Sequence, residues 1–126
     1  TKGKLIKLSD FKGKPTVIIF WNTWNILAAD AFNIAGSMIK KQEYNFFNLV
    51  LINSQENKKN IIRFINDNFY SHVPVLLDEN GAVSDLYRAR HLPTAYFIDK
   101  NGVLSDVEIG LLEEKEIVDK IAEFAN

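Results

Sequence analysis

The sequence predicts an α/β domain in which a central mixed sheet is flanked by helices on both faces. Three observations support this prediction. Residues 17–21 (VIIFW) are all apolar and rich in β-branched side chains, which is typical of a strand buried on both faces. Segments with helical spacing of apolar residues alternate with such strands along the chain. Near the end, residues 99–102 (DKNG) form a turn signal between two strands and indicate an antiparallel hairpin.

Size and composition indicate one domain spanning residues 1–126. The 126 residues are 47% hydrophobic, which is enough to bury a single core. Fifteen Lys and Arg against sixteen Asp and Glu leave no basic surplus, so nucleic acid is not an expected partner. No apolar run approaches the roughly 18 residues of a membrane span. The chain begins with Thr1 instead of Met, so we expect a longer precursor with a signal or anchor segment upstream.

The first helix is predicted over residues 27–42, directly after the buried strand. Asp30 falls in its first turn, where the helix dipole favours a negative charge. Asn25 is the natural N-cap for this helix. Its apolar residues share one face: Ala28, Phe32, Ala35 and Ile39.

A second strand is predicted over residues 46–52, followed by a polar stretch over residues 53–59. The apolar side of the next helix is formed by Ile61, Ile65 and Phe69, with Ile62 beside it. A short strand over residues 75–77 and a short helix over residues 82–89 come next.

The last elements are strands over residues 94–98 and 103–109 and an amphipathic helix over residues 113–124. The inward face of this helix consists of Ile117, Ile121 and Phe124. Charge runs such as 40–41 and 113–116 are predicted to be solvated helix faces. We expect Glu116 and Lys120 to form a small i,i+4 ion pair.

The chain contains no cysteine. Disulfides, thiolate nucleophiles and Cys-ligated metals are therefore excluded for this chain, while its redox compartment is left open. No set of His, Asp and Glu has metal-ligand spacing, and no nucleophile elbow, P-loop or dinucleotide fingerprint is present. We expect no metal, no cofactor and no catalytic residue.

Three segments together resemble the thioredoxin-like thiol-disulfide oxidoreductases of the TlpA/ResA type. They are residues 8–15 (LSDFKGKP), 20–24 (FWNTW) and 92–102 (LPTAYFIDKNG), the last preceded by Tyr87. The resemblance covers nearly the whole chain and implies a thioredoxin-like fold. It also implies that the family's N-terminal hairpin is truncated here, with only its second half, residues 4–8, present.

The resemblance places a vestigial active site directly after Trp24. The family has Cys-x-x-Cys there, whereas this chain has Asn25, Ile26, Leu27 and Ala28. The family's first cysteine lies at a helix N-terminus, where the dipole lowers the pKa of the thiol. Thiol exchange requires a thiolate that passes through a mixed disulfide, so this chain cannot perform it alone.

The resemblance also assigns roles to Glu56 and to the loop formed by His91, Leu92, Pro93 and Thr94. Pro93 matches the family's cis-proline, whose loop lies beside the active site and pairs with an extended peptide. Glu56 matches an acidic residue that handles protons beside the thiols. The simpler alternatives are an ordinary helix start at residues 25–28, a packing role for Trp24, a solvated Glu56 and a surface histidine at position 91.

The leading hypothesis is a redox-inactive family member that binds an extended peptide or protein segment beside Pro93. Because the family works outside the cytoplasm, we expect an extracytoplasmic location in a bacterium, and a monomer. One alternative is an oxidoreductase whose thiols come from a missing segment or a partner. Another is a purely structural domain.

Overall fold

The computed structural model describes residues 13–23, 27–54, 56, 58–67, 75–78 and 93–123. The strands are β1 (Thr16–Trp21), β2 (Asn48–Ser54), β3 (Val75–Asp78), β4 (Thr94–Ile98) and β5 (Leu104–Ile109). The helices are α1 (Ala28–Ile39), α2 (Lys58–Asp67) and α3 (Glu114–Ala122), and a short 3-10 helix spans Gln42–Tyr44.

The five strands form one mixed sheet in the order β3-β2-β1-β4-β5. β1 runs parallel to β2 and antiparallel to β4, with Thr16 opposite Asn48 and Phe20 opposite Thr94. β2 is parallel to β3, and β4 forms an antiparallel hairpin with β5. The predicted α/β class and mixed sheet are confirmed.

β1 lies in the middle of the sheet, and all six of its residues are buried. Val17, Ile19 and Trp21 share the hydrophobic cluster with buried residues of α1 and α3. Ile18 and Phe20, which alternate with them, are buried on the opposite face. This double burial is the physical reason for the continuous apolar run in the sequence.

Three aromatic rings fill the core beneath the end of β1. The centroids of Trp21 and Phe32 are 4.5 Å apart in an edge-to-face arrangement. Phe64 of α2 adds a third ring, 5.4 Å from Trp21 and 5.5 Å from Phe32. Edge-to-face and tilted geometries are those that aromatic pairs prefer, so the cluster anchors both helices to β1.

The structure corrects several predicted bounds around α1 and β2. The N-cap of α1 is Leu27, not Asn25, because the carbonyl of Leu27 accepts the first helical hydrogen bond. The helix ends at Ile39 instead of residue 42, since Lys41 has an extended backbone and the chain turns there. β2 begins at Asn48, two residues later than predicted, where its ladder with β1 starts.

The other described elements agree more closely with the prediction. β4 has the predicted bounds, while α2 begins inside the stretch expected to be polar loop. In the hairpin turn, the Asp99 carboxylate accepts hydrogen bonds from the N–H groups of Asn101 (2.9 Å) and Val103 (3.0 Å). Gly102 has a φ of 85°, a conformation that glycine adopts without strain.

The expected ion pair between Glu116 and Lys120 is wrong. The Glu116 carboxylate instead accepts a hydrogen bond from the N–H of Glu113, which closes a capping box at the start of α3. Lys120 lies across β5 and pairs with Asp106 at 2.6 Å and Glu108 at 3.2 Å. These bonds attach α3 to the edge strand.

Some predicted features lie outside the described residues: the strand over residues 4–8, the helix over 82–89, Phe69 and Phe124. Within the described ranges, no helix combines the length and apolar character that crossing a membrane requires.

Candidate functional site

The candidate site lies at the edge of the sheet where β1 and β2 end and β4 begins, here called the carboxyl-end edge. β1 ends at Trp21, which is opposite Asn53 in β2. On the other side of β1, Thr94 opens β4 opposite Phe20. Ends of parallel strands meet at one edge, so residues that follow β1 and β2 come together there.

Glu56 connects the ends of β1 and β2 through its carboxylate. One oxygen, Oε1, accepts hydrogen bonds from the Thr23 N–H at 2.5 Å and from Asn53 Nδ2 at 2.7 Å. The other, Oε2, accepts one from the Thr23 hydroxyl at 2.5 Å. The backbone N–H of Glu56 in turn donates to Asn53 Oδ1 at 3.2 Å. We call Thr23, Asn53 and Glu56 the Glu56 network.

The Glu56 network explains how a carboxylate is kept at a partly buried position. A buried charge is costly unless hydrogen bonds replace the water that it loses. Both carboxylate oxygens of Glu56 have such donors, and Asn53 is fully buried. The network therefore fixes the segment leaving β1 against the segment leaving β2.

Sequence reasoning identified Glu56 but missed Thr23 and Asn53. A signal was available, because both polar residues stand just beyond or within the end of an apolar strand. Ends of adjacent parallel strands share an edge of the sheet, so polar residues there can be expected to meet.

Asn22 is a further polar residue at the carboxyl-end edge that sequence reasoning missed. It is 1% exposed, and its Oδ1 atom has no hydrogen-bond partner among the described residues. A buried amide oxygen without a donor is destabilising. The Oδ1 atom of Asn22 therefore contributes no stability to the position directly after β1 from within the described part of the chain.

At the start of α1 the structure describes two of the four residues that replace Cys-x-x-Cys. Leu27 is half-buried and its carbonyl accepts the first helical hydrogen bond, from the N–H of Ala31 at 3.0 Å. No side chain caps this end. Ala28 is 3% exposed and its methyl group belongs to the core cluster. Trp24, Asn25 and Ile26 lie outside the described residues.

Pro93 and Thr94 border the site on the β4 side. Pro93 is buried, and its carbonyl accepts a hydrogen bond from the Gly110 N–H at 2.8 Å. Thr94 is 2% exposed and is paired with both β1 and β5. His91 and Leu92 lie outside the described residues, as does the peptide bond predicted to be cis.

The chemistry of the described edge is set by one carboxylate and by the absence of cysteine from the sequence. Its carboxylate, Glu56, uses both oxygens in internal hydrogen bonds. The chain has no cysteine to form a thiolate. In the described parts of the chain, no group of three or more His, Cys, Asp or Glu residues could hold a metal ion.

A mixed sheet with a helix that starts just beyond its central strand defines a thioredoxin-like domain. The solved structure of the pneumococcal exposed lipoprotein thioredoxin Etrx1, from Streptococcus pneumoniae strain TIGR4, superposes with a TM-score of 0.86 and is 27% identical. The superposition covers 96% of this chain and 93% of that chain. The predicted thioredoxin-like fold is confirmed.

The chain belongs to the AhpC/TSA family, which matches residues 1–107. It is 29% identical over 121 residues to the thioredoxin-like protein YneN of Bacillus subtilis strain 168. It is 32% identical over 119 residues to the thiol-disulfide oxidoreductase ResA of the same strain. Each comparison covers 94% of this chain, but only 70% of YneN and 66% of ResA, so the chain spans about two thirds of these relatives. The resemblance to ResA-type oxidoreductases is confirmed.

Proposed function

We propose that this chain is a member of the thioredoxin-like thiol-disulfide oxidoreductase family that binds an extended peptide or protein segment without exchanging thiols. One observation carries the proposal. A chain without any cysteine retains an ordered carboxyl-end edge, in which the Glu56 network holds the segment after β1. The network keeps this segment in place next to the start of α1, so the edge retains a defined surface without a thiol.

The chemistry of the edge supports binding over reaction. Disulfide exchange needs a thiolate as attacking group and a second thiol to resolve the mixed disulfide. Ala28 stands at the position of the family's second cysteine, and its side chain is a buried methyl group that cannot resolve a mixed disulfide. The resemblance implies that Glu56 handles protons for a thiol, but this chain has no thiol. The Glu56 carboxylate accepts hydrogen bonds from Thr23 and Asn53 instead.

The peptide is assigned to the side of the edge next to Pro93. An extended segment gains affinity from backbone hydrogen bonds and specificity from pockets for alternate side chains. Leu27, half-buried at the start of α1, supplies one apolar contact. The proposal assigns the remaining contacts to Trp24, Ile26, His91 and Leu92, which lie outside the described residues.

We further propose that the domain covers residues 1–126 and acts as an extracytoplasmic monomer. The location is supported by the similarity to Etrx1, which is described as an exposed lipoprotein.

The first test is an insulin-reduction assay with dithiothreitol on the native chain and on the double variant Asn25→Cys, Ala28→Cys. We expect activity in the variant only, because restored thiols would lie at the helix start beside an intact edge. An inactive but folded variant would show that the edge no longer accepts polypeptide, and would favour a structural role. Activity of the native chain would favour the alternative that thiols are supplied from outside, for which the name of ResA is the supporting observation.

The second test measures binding directly, with reduced and carboxymethylated insulin B chain as a thiol-free extended probe. Leu27→Asp should weaken binding by about tenfold or more, since one buried apolar side chain contributes about 1.5–3 kcal/mol. Val103→Asp is the matched control, because Val103 is 58% exposed next to the hairpin turn, at the far end of β4 from the site. Equal loss in both variants, or loss in neither, would contradict the proposed location.

A further inference from the structure

A cleft of about 340 Å³ lies at the opposite end of the sheet, where β1 and β2 begin. It is bordered by the end of α1, the 3-10 helix Gln42–Tyr44 and the first residues of β2. β1 has six residues, so at about 3.3 Å per residue the cleft is separated from the carboxyl-end edge by roughly 17 Å. It is therefore a different place from the peptide site proposed above.

The inner wall of this cleft is apolar. Met38, Phe47 and Leu49 line it and are only 1%, 6% and 9% exposed. The Tyr44 ring packs beside Phe47, with centroids 5.9 Å apart. Ile39, also in the lining, is 37% exposed. Ile39 and the half-buried Tyr44 ring therefore supply the hydrophobic surface that a ligand can reach, above the buried Met38, Phe47 and Leu49.

The remaining charged lining is entirely basic: Lys14, Lys40 and Lys41, with no Asp or Glu among the described residues that line the cleft. Lys41 is already neutralised, because its Nζ lies 2.6 Å from Glu114 Oε2. The Tyr44 hydroxyl donates to the same oxygen at 2.7 Å. Glu114 therefore fixes this wall of the cleft and leaves the other two lysines as its source of positive charge.

Lys14 and Lys40 both have donors left for a ligand. Lys14 Nζ donates one hydrogen bond, to the Asn45 carbonyl at 3.0 Å, and an ammonium group has three donors. Lys40 is exposed, and in the described part of the chain its side chain has no ion-pair partner. Two ammonium groups beside an apolar wall are complementary to a molecule with an apolar body and an anionic head.

We propose that this cleft, here called the lysine cleft, binds a small amphipathic carboxylate. The apolar body lies along Ile39 and the Tyr44 ring, and the carboxylate accepts hydrogen bonds from Lys14 and Lys40. The volume of about 340 Å³ falls within the usual range for sites of small organic ligands. The basic lining selects an anionic head group over a cationic one of the same size.

The test uses octanoate, with octylammonium as a probe of equal chain length and opposite charge. Amide chemical shifts of the native chain are followed during titration with each. We expect saturable shifts for octanoate within residues 38–49, none within residues 20–23, and binding of octylammonium at least about tenfold weaker. Equal binding of the two probes, or octanoate shifts centred on the carboxyl-end edge, would overturn the proposal.

Variants then test the two lysines without disturbing the apolar wall. Lys14→Met and Lys40→Met keep most of the side-chain length, and each should weaken octanoate binding by about tenfold, the value of one charge-assisted hydrogen bond. Lys115→Met is the control, because Lys115 is 85% exposed on α3 and pairs with Asp119. Unchanged affinity in both cleft variants would overturn the proposal. Failure here leaves the peptide proposal unaffected, since that rests on Leu27 and the other end of the sheet.

Discussion

The two ends of β1 carry polar side chains that are used in opposite ways. At the carboxyl end, Thr23, Asn53 and Glu56 direct their hydrogen bonds to one another. At the amino end, Lys14 and Lys40 border an open cleft and keep donors available. The Glu56 network satisfies its polar groups within the protein, whereas the two lysines present theirs to solvent.

This difference shows that the usual ligand site of a fold need not be the place where polar groups are free to bind a ligand. In α/β sheets, ligands usually bind at the carboxyl ends of the strands. Here that edge has no thiol, and its carboxylate serves as a connection between strands. At the other end, Lys14 and Lys40 have unused donors beside the apolar lining of the lysine cleft.

The largest expected difference between the two ends concerns aromatic packing. Phe32 is fully buried and touches both Trp21 and Phe64, so Phe32→Ala should lower the free energy of unfolding by about 3–5 kcal/mol. Phe46, at the amino end, is 40% exposed, and Phe46→Ala should cost about 1 kcal/mol or less. Urea unfolding measures both, and similar losses in the two variants would contradict the contrast in packing.

A smaller effect is expected from the Glu56 network. Glu56→Ala removes the acceptor of the Thr23 N–H, the Thr23 hydroxyl and Asn53 Nδ2, and should cost about 2–3 kcal/mol because these donors lose a charged partner. Glu56→Gln keeps one carbonyl acceptor at the position and should cost about half as much. Chemical denaturation of the two variants provides the measurement. If Glu56→Ala is as stable as the native chain, the carboxylate does not connect the strands.

The smallest expected effect is a pH dependence of the stability that Glu114 contributes at the wall of the lysine cleft. Hydrogen bonds from Lys41 and Tyr44 hold the pKa of Glu114 below its ordinary value of 4.5. A lowered pKa in the folded state contributes stability above the ordinary pKa, and this contribution is lost as the pH falls through the lower folded value. The stability advantage of the native chain over Glu114→Gln should therefore stay constant well above pH 4.5 and shrink as the pH falls below about 4.5.

Tyr44→Phe is the matched control for this pH effect, because it removes one donor and leaves Lys41 in place. It should reduce the pH dependence only in part, since the hydrogen bond from Lys41 is the largest cause of the lowered pKa. If the stability advantage of the native chain over Glu114→Gln does not change with pH, the folded state does not stabilise the ionised Glu114 carboxylate.

The sequence predicted best those elements whose pattern of buried residues repeats within the segment itself. β4 was predicted with its observed bounds, and α3 differs by one residue at its start. The apolar run of β1 indicated a strand buried on both faces, and all six of its residues are buried. Periodicity suffices in such elements, because the buried face and the hydrogen-bonding pattern repeat within the segment itself.

Contacts between distant parts of the chain explain what the sequence could not predict. α1 ends early because Lys41 and Tyr44 turn toward Glu114, which lies 73 and 70 residues further along the chain. Lys120 was expected to pair within α3, but β5 places two carboxylates closer to it. At the candidate site, Glu56 was found through resemblance, whereas its partners Thr23 and Asn53 depend on the pairing of β1 with β2.

The central position of β1 gives the molecule a built-in reporter of its global opening. Its backbone is paired on both sides, with β2 and β4, and every side chain in it is buried. Amide protons in such a strand exchange with solvent only when the whole domain opens, whereas those near frayed ends exchange through small local fluctuations. The deuterium uptake of β1 therefore reports the free energy of opening the whole domain, and a ligand bound at either end of the sheet should slow this uptake by stabilising the folded state.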